Sequence, residues 1–175
     1  MRIRPAVPEE APVLSRIARL AKAHWGYEAT QLARWDHELT VSPRSLQRSP
    51  SFVAETAAGI VGFYQLGMYT LPPVLDHLWV DPACMGRGAG RALLRHAQAL
   101  LCAEGIAEIA VDADPNAEGF YLAMGARRVG AEPAPIAGDA ARVRPQLRLA
   151  VGLAGIDAAR PHLARFTAPP AAVRL

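Results

Sequence analysis

The chain has 175 residues, a hydrophobic fraction of 51%, a charged fraction of 20% and a formal net charge of +3, the balance of one ordinary globular domain with room for a short appendage. A domain of this length buries roughly 70% of the surface its unfolded chain exposes and needs no metal or disulfide staple. Its positive charge comes from arginines spread along the chain, with Lys22 the single lysine, so no stripe for nucleic acid forms. Cys84 and Cys102 make neither a disulfide framework nor a zinc site, and no run approaches the ~20 apolar residues of a membrane span. No segment at the N-terminus has the apolar core of a signal peptide. The expectation is a cytoplasmic protein with no membrane or nucleic-acid partner and no metal.

Arg2 to Val7 reads as a short strand ended by Pro8. Residues 8–23 place Ala11, Leu14, Ile17, Ala18, Leu20 and Ala21 at helical spacing, with Glu9 and Glu10 in the first turn, where the dipole favours them. A second helix is expected over Ala29 to Leu39, and Ser42-Pro43 and Ser49-Pro50 punctuate the connection that follows. From Ser51 the period changes. Phe52 to Glu55 and Ile60 to Gly67 form a hairpin about Ala57-Ala58-Gly59, and Val74 to Val80 is a third strand ended by Asp81-Pro82. Gly88 to Ala103 is amphipathic, with Ala89, Leu93, Ala97, Leu100 and Leu101 on one stripe. Ile106 to Asp112 is a strand covered on both faces, Asp114-Pro115 starts a helix that Gly125 stops, and Arg127–Val129 and Val143–Val151 close the sheet. The order is β-α-α-β-β-β-α-β-α-β-β, an α/β fold with a mixed sheet and helices on its faces. Residues 1–150 form the domain, and 151–175, broken by Pro161 and Pro169-Pro170, an appendage.

The stretch Leu78-Trp79-Val80-Asp81-Pro82-Ala83-Cys84-Met85-Gly86-Arg87-Gly88-Ala89-Gly90-Arg91 is a strand, a tight turn with alternating glycines, and the start of a helix. Free N–H groups at a helix start attract phosphate oxygens, glycines let the backbone approach them, and Arg87 and Arg91 add charge at the rim. A Walker loop fails, because Arg91-Ala92 follows Gly90 where Lys-Ser/Thr is needed. A Rossmann fingerprint lacks its third glycine.

These residues resemble the coenzyme A-binding motif of the GCN5-related N-acetyltransferases, Arg/Gln-x-x-Gly-x-Gly/Ala, with Gly88 and Gly90 at the glycines and Met85 in place of Arg or Gln. Asn116 to Ala126, with Phe120-Tyr121 and Gly125, is similar to the family's second signature, Ala126 replacing its usual aromatic. The resemblance implies acetyl-coenzyme A as co-substrate and a primary amine as acceptor. The backbone of Leu78, Trp79 and Val80 would hold the pantetheine arm, the N–H groups of Met85, Gly86, Arg87, Gly88, Ala89 and Gly90 the pyrophosphate, and Asn116 the coenzyme near its thiol. Tyr121 would protonate the leaving thiolate, while Phe120 is the expected core residue. A base must take the amine's proton. Period-two alternation puts Asp76 on the face of Leu78 and Val80; His77 faces the other way but has the more suitable ordinary pKa, and a water chain remains an alternative.

The resemblance places the segment after the first helix over the acceptor mouth. Its aromatic and acidic residues, Trp25, Tyr27, Glu28 and Glu38 among them, suit a cationic small-molecule amine; the alternative is an ordinary helix with buried tryptophans. A catalytically inactive coenzyme A-binding sensor or interaction domain on the same fold is the competing reading, and a homodimer is compatible with either.

Overall fold

In the computed structural model of the protein the chain runs through strand β1 (Arg2–Pro5), a 3-10 turn at Pro8–Glu10, helices α1 (Ala11–Ala23), α2 (Ala29–Arg34) and α3 (Pro43–Arg48), and strands β2 (Ser51–Thr56), β3 (Gly59–Gly67) and β4 (Val74–Val80). It continues through α4 (Ala89–Ala103), β5 (Glu108–Asp112), α5 (Glu118–Ala123), β6 (Arg127–Pro133) and β7 (Val143–Ala150). The structure describes residues 1–152, so the expected appendage over 151–175 lies, from residue 153 on, outside the described residues. The seven strands form one mixed sheet in the order β1-β2-β3-β4-β5-β7-β6, as expected of an α/β fold.

Two apolar faces hold the sheet between helices. On one, Ala11, Leu14, Ile17 and Ala18 of α1 pack with Leu46, Val53 and Phe63. On the other, Leu93, Leu94, Ala97, Leu100 and Leu101 of α4 and Tyr121 of α5 pack with Tyr64, Leu66, Ile109, Val111 and Leu147. Strand β3 is therefore buried on both faces from Val61 to Gly67, which explains its continuous apolar run.

The sequence reading differs from the structure at two helices. The helix expected through Leu39 ends at Arg34, where Thr40 Oγ1 bonds the Asp36 carbonyl at 2.6 Å and Arg19 Nε takes the Asp36 carboxylate at 2.6 Å, drawing the chain into turns. The connection read as punctuation contains α3: Ser42 Oγ accepts from the Ser45 N–H at 3.0 Å, and Pro43 fills the first helical position, where its missing N–H costs nothing.

The site is positioned by two irregularities of β4. All neighbouring strands pair antiparallel except β4 and β5, which are parallel and meet at a single ladder position, Val74 opposite Ala110. Beyond it the strands diverge, so the β5-facing edge of β4 from Leu75 to Val80 is without a ladder partner. On its other edge β4 carries a bulge: Leu75 pairs with Leu66 and His77 with Gln65, leaving Asp76 as the extra residue. A bulge re-aims the side chain it inserts, and it overturns the simple alternation from which Asp76 was placed with Leu78 and Val80.

Candidate active site

Where β4 and β5 part, a cleft of about 630 Å³ opens, lined by Leu78, Trp79 and Val80 on one side, Val111 to Asp114 on the other, and the starts of α4 and α5 at its end. It lies at the carboxyl ends of the two parallel strands, the place where open sheets with crossover helices leave room for a ligand.

One end of the cleft is built from backbone. Gly86 (φ 73°) and Gly88 (φ 87°) take left-handed conformations that a side chain adopts only under strain. They swing the chain so that Met85, Gly86, Gly88, Ala89, Gly90 and Arg91 line the cleft. The Ala92 N–H donates to the Gly88 carbonyl at 3.0 Å, and this bond opens the ladder of α4. Among the described residues the N–H groups ahead of it, from Gly86 to Arg91, donate to no group of the chain. No acidic side chain occupies the first turn of α4, and Arg87 and Arg91 are exposed beside it. The arrangement suits a phosphate-bearing ligand: a row of unpaired donors at the positive end of a fifteen-residue helix. Met85 lines the cleft and adds no charge there.

Tyr121 projects into the same cleft from α5 and is 7% exposed. Burial raises its phenol above the ordinary value of 10.0, so it is a neutral proton carrier at pH 7. Among the described residues its hydroxyl has no hydrogen-bond partner. Phe120, expected to be the core member of the pair, is only half-buried and also lines the cleft; it stacks edge-on against Tyr121 with ring centroids 5.1 Å apart. Asn116, at the cleft wall, donates through Nδ2 to Tyr27 Oη at 3.1 Å and Asp114 Oδ1 at 3.0 Å, which leaves its carbonyl oxygen as the free acceptor.

Asp76 stands where this cleft meets a second cavity of about 460 Å³, lining both. Its carboxylate lies over Gly67, where any Cβ would collide with it and with the Tyr69 ring, and Tyr69 Oη donates to Asp76 Oδ1 at 2.6 Å. By surface area Asp76 is exposed, yet the sheet beneath surrounds its carboxylate closely enough that burial raises its pKa above 3.8, outweighing the Tyr69 hydrogen bond. His77 is turned away. It packs against Phe63, its Nδ1 accepts from Trp79 Nε1–H at 3.0 Å, and burial pushes its pKa down to about 4. It lines neither cavity.

The second cavity is walled by Lys22, Gln31, Trp35, Tyr69, Arg142 and Arg144, with Glu38 at its exposed edge. At its inner wall Asp114 accepts from Lys22 Nζ at 2.5 Å, from Tyr27 Oη at 2.8 Å and from Arg142 at 3.3 Å. Burial pushes the Asp114 carboxyl upward, but the Lys22 contact and its other donors hold it below 3.8. Lys22 Nζ lies 4.3 Å from the Trp35 ring centre and 5.0 Å from that of Tyr27, and the Arg142 guanidinium sits near the same two rings. The Tyr27 and Trp35 faces are thus occupied by the protein's own cations. Of the proposed acceptor residues, Trp25 lines the first cleft, Glu38 the second cavity, Tyr27 is tied to Asp114, and Glu28 lines neither.

Sequence reading took Asp114 only as a helix cap, a role it also fills through the Asn116 N–H at 2.9 Å, and missed Lys22, Tyr69 and Arg142. Asp114's partners Lys22, Tyr27 and Arg142 lie 92, 87 and 28 residues from it, beyond any local pattern, and Tyr69 reaches Asp76 only through the turn between β3 and β4. The one available signal was composition: a lone lysine in an arginine-rich chain.

The acetyltransferase (GNAT) domain model matches residues 10–134. Comparison with curated proteins gives no significant match by sequence. Among solved structures the chain is similar to the GCN5-related N-acetyltransferase (aminotransferase, class II) from Rhodopseudomonas palustris, at 23% identity over 85% of this chain and 94% of that one, with a TM-score of 0.71. It is also similar to the PaiA N-acetyltransferase of Thermoplasma acidophilum in complex with coenzyme A, at 19% identity over 84% and 96% of the two chains and a TM-score of 0.65. The ribosomal-protein-S18-alanine N-acetyltransferase of Escherichia coli aligns at 18% identity over 90% and 97%, again with a TM-score of 0.65. At these identities the neighbours speak for the fold, and the domain match over more than half the sequence speaks for descent: the chain belongs to the GNAT acetyltransferase family.

Proposed function

We propose that the protein transfers an acetyl group from acetyl-coenzyme A to the primary amine of a small-molecule acceptor, by direct attack in a ternary complex in the cytoplasm. The observation that carries this reading is the row of unpaired N–H groups from Gly86 to Arg91 opening on the same cleft as Tyr121 and Asp76. The donor set fits the coenzyme: backbone amides and Arg87 and Arg91 for its pyrophosphate, and the unpaired edge of β4 at Leu78, Trp79 and Val80 for the amides of its arm. The PaiA N-acetyltransferase of Thermoplasma acidophilum, similar in fold, has been solved in complex with coenzyme A. Bound there, the coenzyme supplies an activated thioester.

The residues of this chain then divide the proton work. Asp76 takes a proton from the incoming ammonium, directly or through a water, freeing the nitrogen lone pair to attack the acetyl carbonyl. As the tetrahedral adduct collapses, the carbon–sulfur bond breaks, Tyr121 gives its proton to the departing sulfur, and the second proton shed by the new amide nitrogen restores the phenol through water. His77, neutral and facing the opposite core, takes no part. A thiol-release assay over a panel of amines tests the reaction. Stoichiometric acetyl-coenzyme A binding without turnover of any amine would favour the inactive sensor instead.

A further inference from the structure

The charges that line the second cavity are unevenly placed: at its inner wall two cations share one carboxylate, while Asp76 stands where the cavity meets the coenzyme cleft. Lys22 and Arg142, with side chains 11% and 5% exposed, share the single carboxylate of Asp114, itself 7% exposed. Arg144 is spoken for by Asp112 at 3.1 Å, Glu38 is exposed at the edge and acts on Lys22 only as the weakest of its charged neighbours, and Asp76 faces the coenzyme cleft as well. The buried cluster of Lys22, Arg142 and Asp114 therefore carries one cation beyond its own carboxylate, a charge that burial penalises unless something answers it. Its donors are also underused. Arg142 Nε is buried with no hydrogen-bond partner, and Lys22 Nζ spends one of its three hydrogens on Asp114. Burial lowers the Lys22 pKa, and Arg142 contributes to the same displacement.

This surplus borders the cavity that Asp76 shares with the coenzyme cleft. We propose that the second cavity is an acceptor site for amino-carboxylates, in which Lys22 and Arg142 receive the substrate's carboxylate while its amine sits at Asp76. The assignment rests on the acetyl-transfer reading and adds the acceptor's chemical class to it. A carboxylate restores neutrality to the buried cluster and takes up its idle donors, whereas a second ammonium meets Lys22 and Arg142 already standing on the Trp35 and Tyr27 faces. Such a site discriminates strongly, because an analogue without the carboxylate leaves buried charge unpaired.

The experiment measures kcat/KM in a thiol-release assay with the α-amino acids, their α-amides, and the aminophosphonate analogues of alanine and leucine, alongside calorimetric titration of acetyl-coenzyme A. The expected result is a preference for the best amino acid over its own amide of at least about 100-fold. Arg142→Met is expected to collapse that preference mainly through KM and to leave acetyl-coenzyme A affinity near parental, since Asp114 keeps Lys22 and the cluster becomes neutral. Arg142→Lys is expected to restore part of the preference, a rescue that a merely structural arginine does not predict. Lys22→Met supplies an independent second loss of preference if Arg142→Met melts early. Amides or simple cationic amines turned over as well as amino acids would overturn the assignment, as would a preference for aminophosphonates or silence from every amine while acetyl-coenzyme A still binds. Loss of acetyl-coenzyme A binding in the parent protein would instead remove the acetyl-transfer reading beneath it.

Discussion

Burial raises the pKa of both Asp76 and Tyr121, and in the proposed reaction the two displacements would serve different ends. A raised carboxyl at Asp76 makes a better proton acceptor than an ordinary aspartate, and a raised phenol at Tyr121 would keep its proton until the proposed thiolate forms. Tyr121→Phe preserves the packing against Phe120 and removes only the hydroxyl, so turnover should fall roughly 10²–10⁴-fold with coenzyme affinity little changed; equal activity by thiol release would return the ring to the core. For Asp76 the sign follows from linkage. Because its folded pKa lies above the ordinary 3.8, the fold favours its protonated form, and that preference is lost as pH rises through the folded value. At neutral pH the ionised side chain is thus a burden on stability. Asp76→Asn should melt no earlier than the parent at pH 7, lose its relative advantage below pH 4, and abolish the acid limb of the kcat/KM profile. A retained limb in Asp76→Asn would assign the base elsewhere.

At the scale of elements, the two signature segments and the strand between them were legible because their chemistry is local. The limits of β4 at Val74 and Val80 and the reach of α4 to Ala103 follow from apolar period, Asp81-Pro82 and Gly105. Helix α3 was legible in principle, since Ser42-Pro43 is a cap and first-turn pair, but it also reads as a loop. The bulge at Asp76 was not legible, because a one-residue insertion leaves no mark on the hydrophobic pattern, and Phe120 and Tyr121 exchanged burial because packing, not period, decides between neighbours. The bulge works only because Gly67 lies beneath it. Gly67→Ala should therefore displace the Asp76 carboxylate and the Tyr69 ring and lower kcat/KM by about 10²-fold, the cost of misplacing a reacting group by about 1 Å, with acetyl-coenzyme A binding retained by calorimetry. The glycines of the α4 turn separate in the same way. A Cβ at Gly90 meets Phe120 and Val80 at ordinary contact distances of 3.5 and 3.6 Å, so Gly90→Ala should fold and bind. Gly88→Val puts a β-branched residue at φ 87° and should lose the ligand's thermal shift; a normal shift in that variant would remove the pyrophosphate from this turn.

Across the whole molecule, the sheet is joined at its middle by the weakest of its ladders, one position between β4 and β5, while every other neighbouring pair is zipped over several residues. The order β1-β2-β3-β4 on one side and β5-β7-β6 on the other makes two half-sheets whose divergence creates the cleft. Cohesion between them comes from α4 and from the long-range ties that Asp114 makes to Lys22 and Tyr27 on one side and Arg142 on the other. A ligand lying along the free edge of β4 and reaching the start of α4 would add the contacts that the missing ladder lacks. Acetyl-coenzyme A at a hundred times its dissociation constant should stabilise the fold by about 2.7 kcal/mol, or roughly 5–11 °C in Tm for a chain of this size. The gain should be localised. Hydrogen exchange is expected to slow most at the β5-facing amides of β4 between Leu78 and Val80 and at Gly86 to Arg91, and least in β1 and β2, which the cleft does not touch. Protection spread evenly over the sheet would mean the ligand acts by general stabilisation, and protection absent from Gly86 to Arg91 would place its phosphates elsewhere.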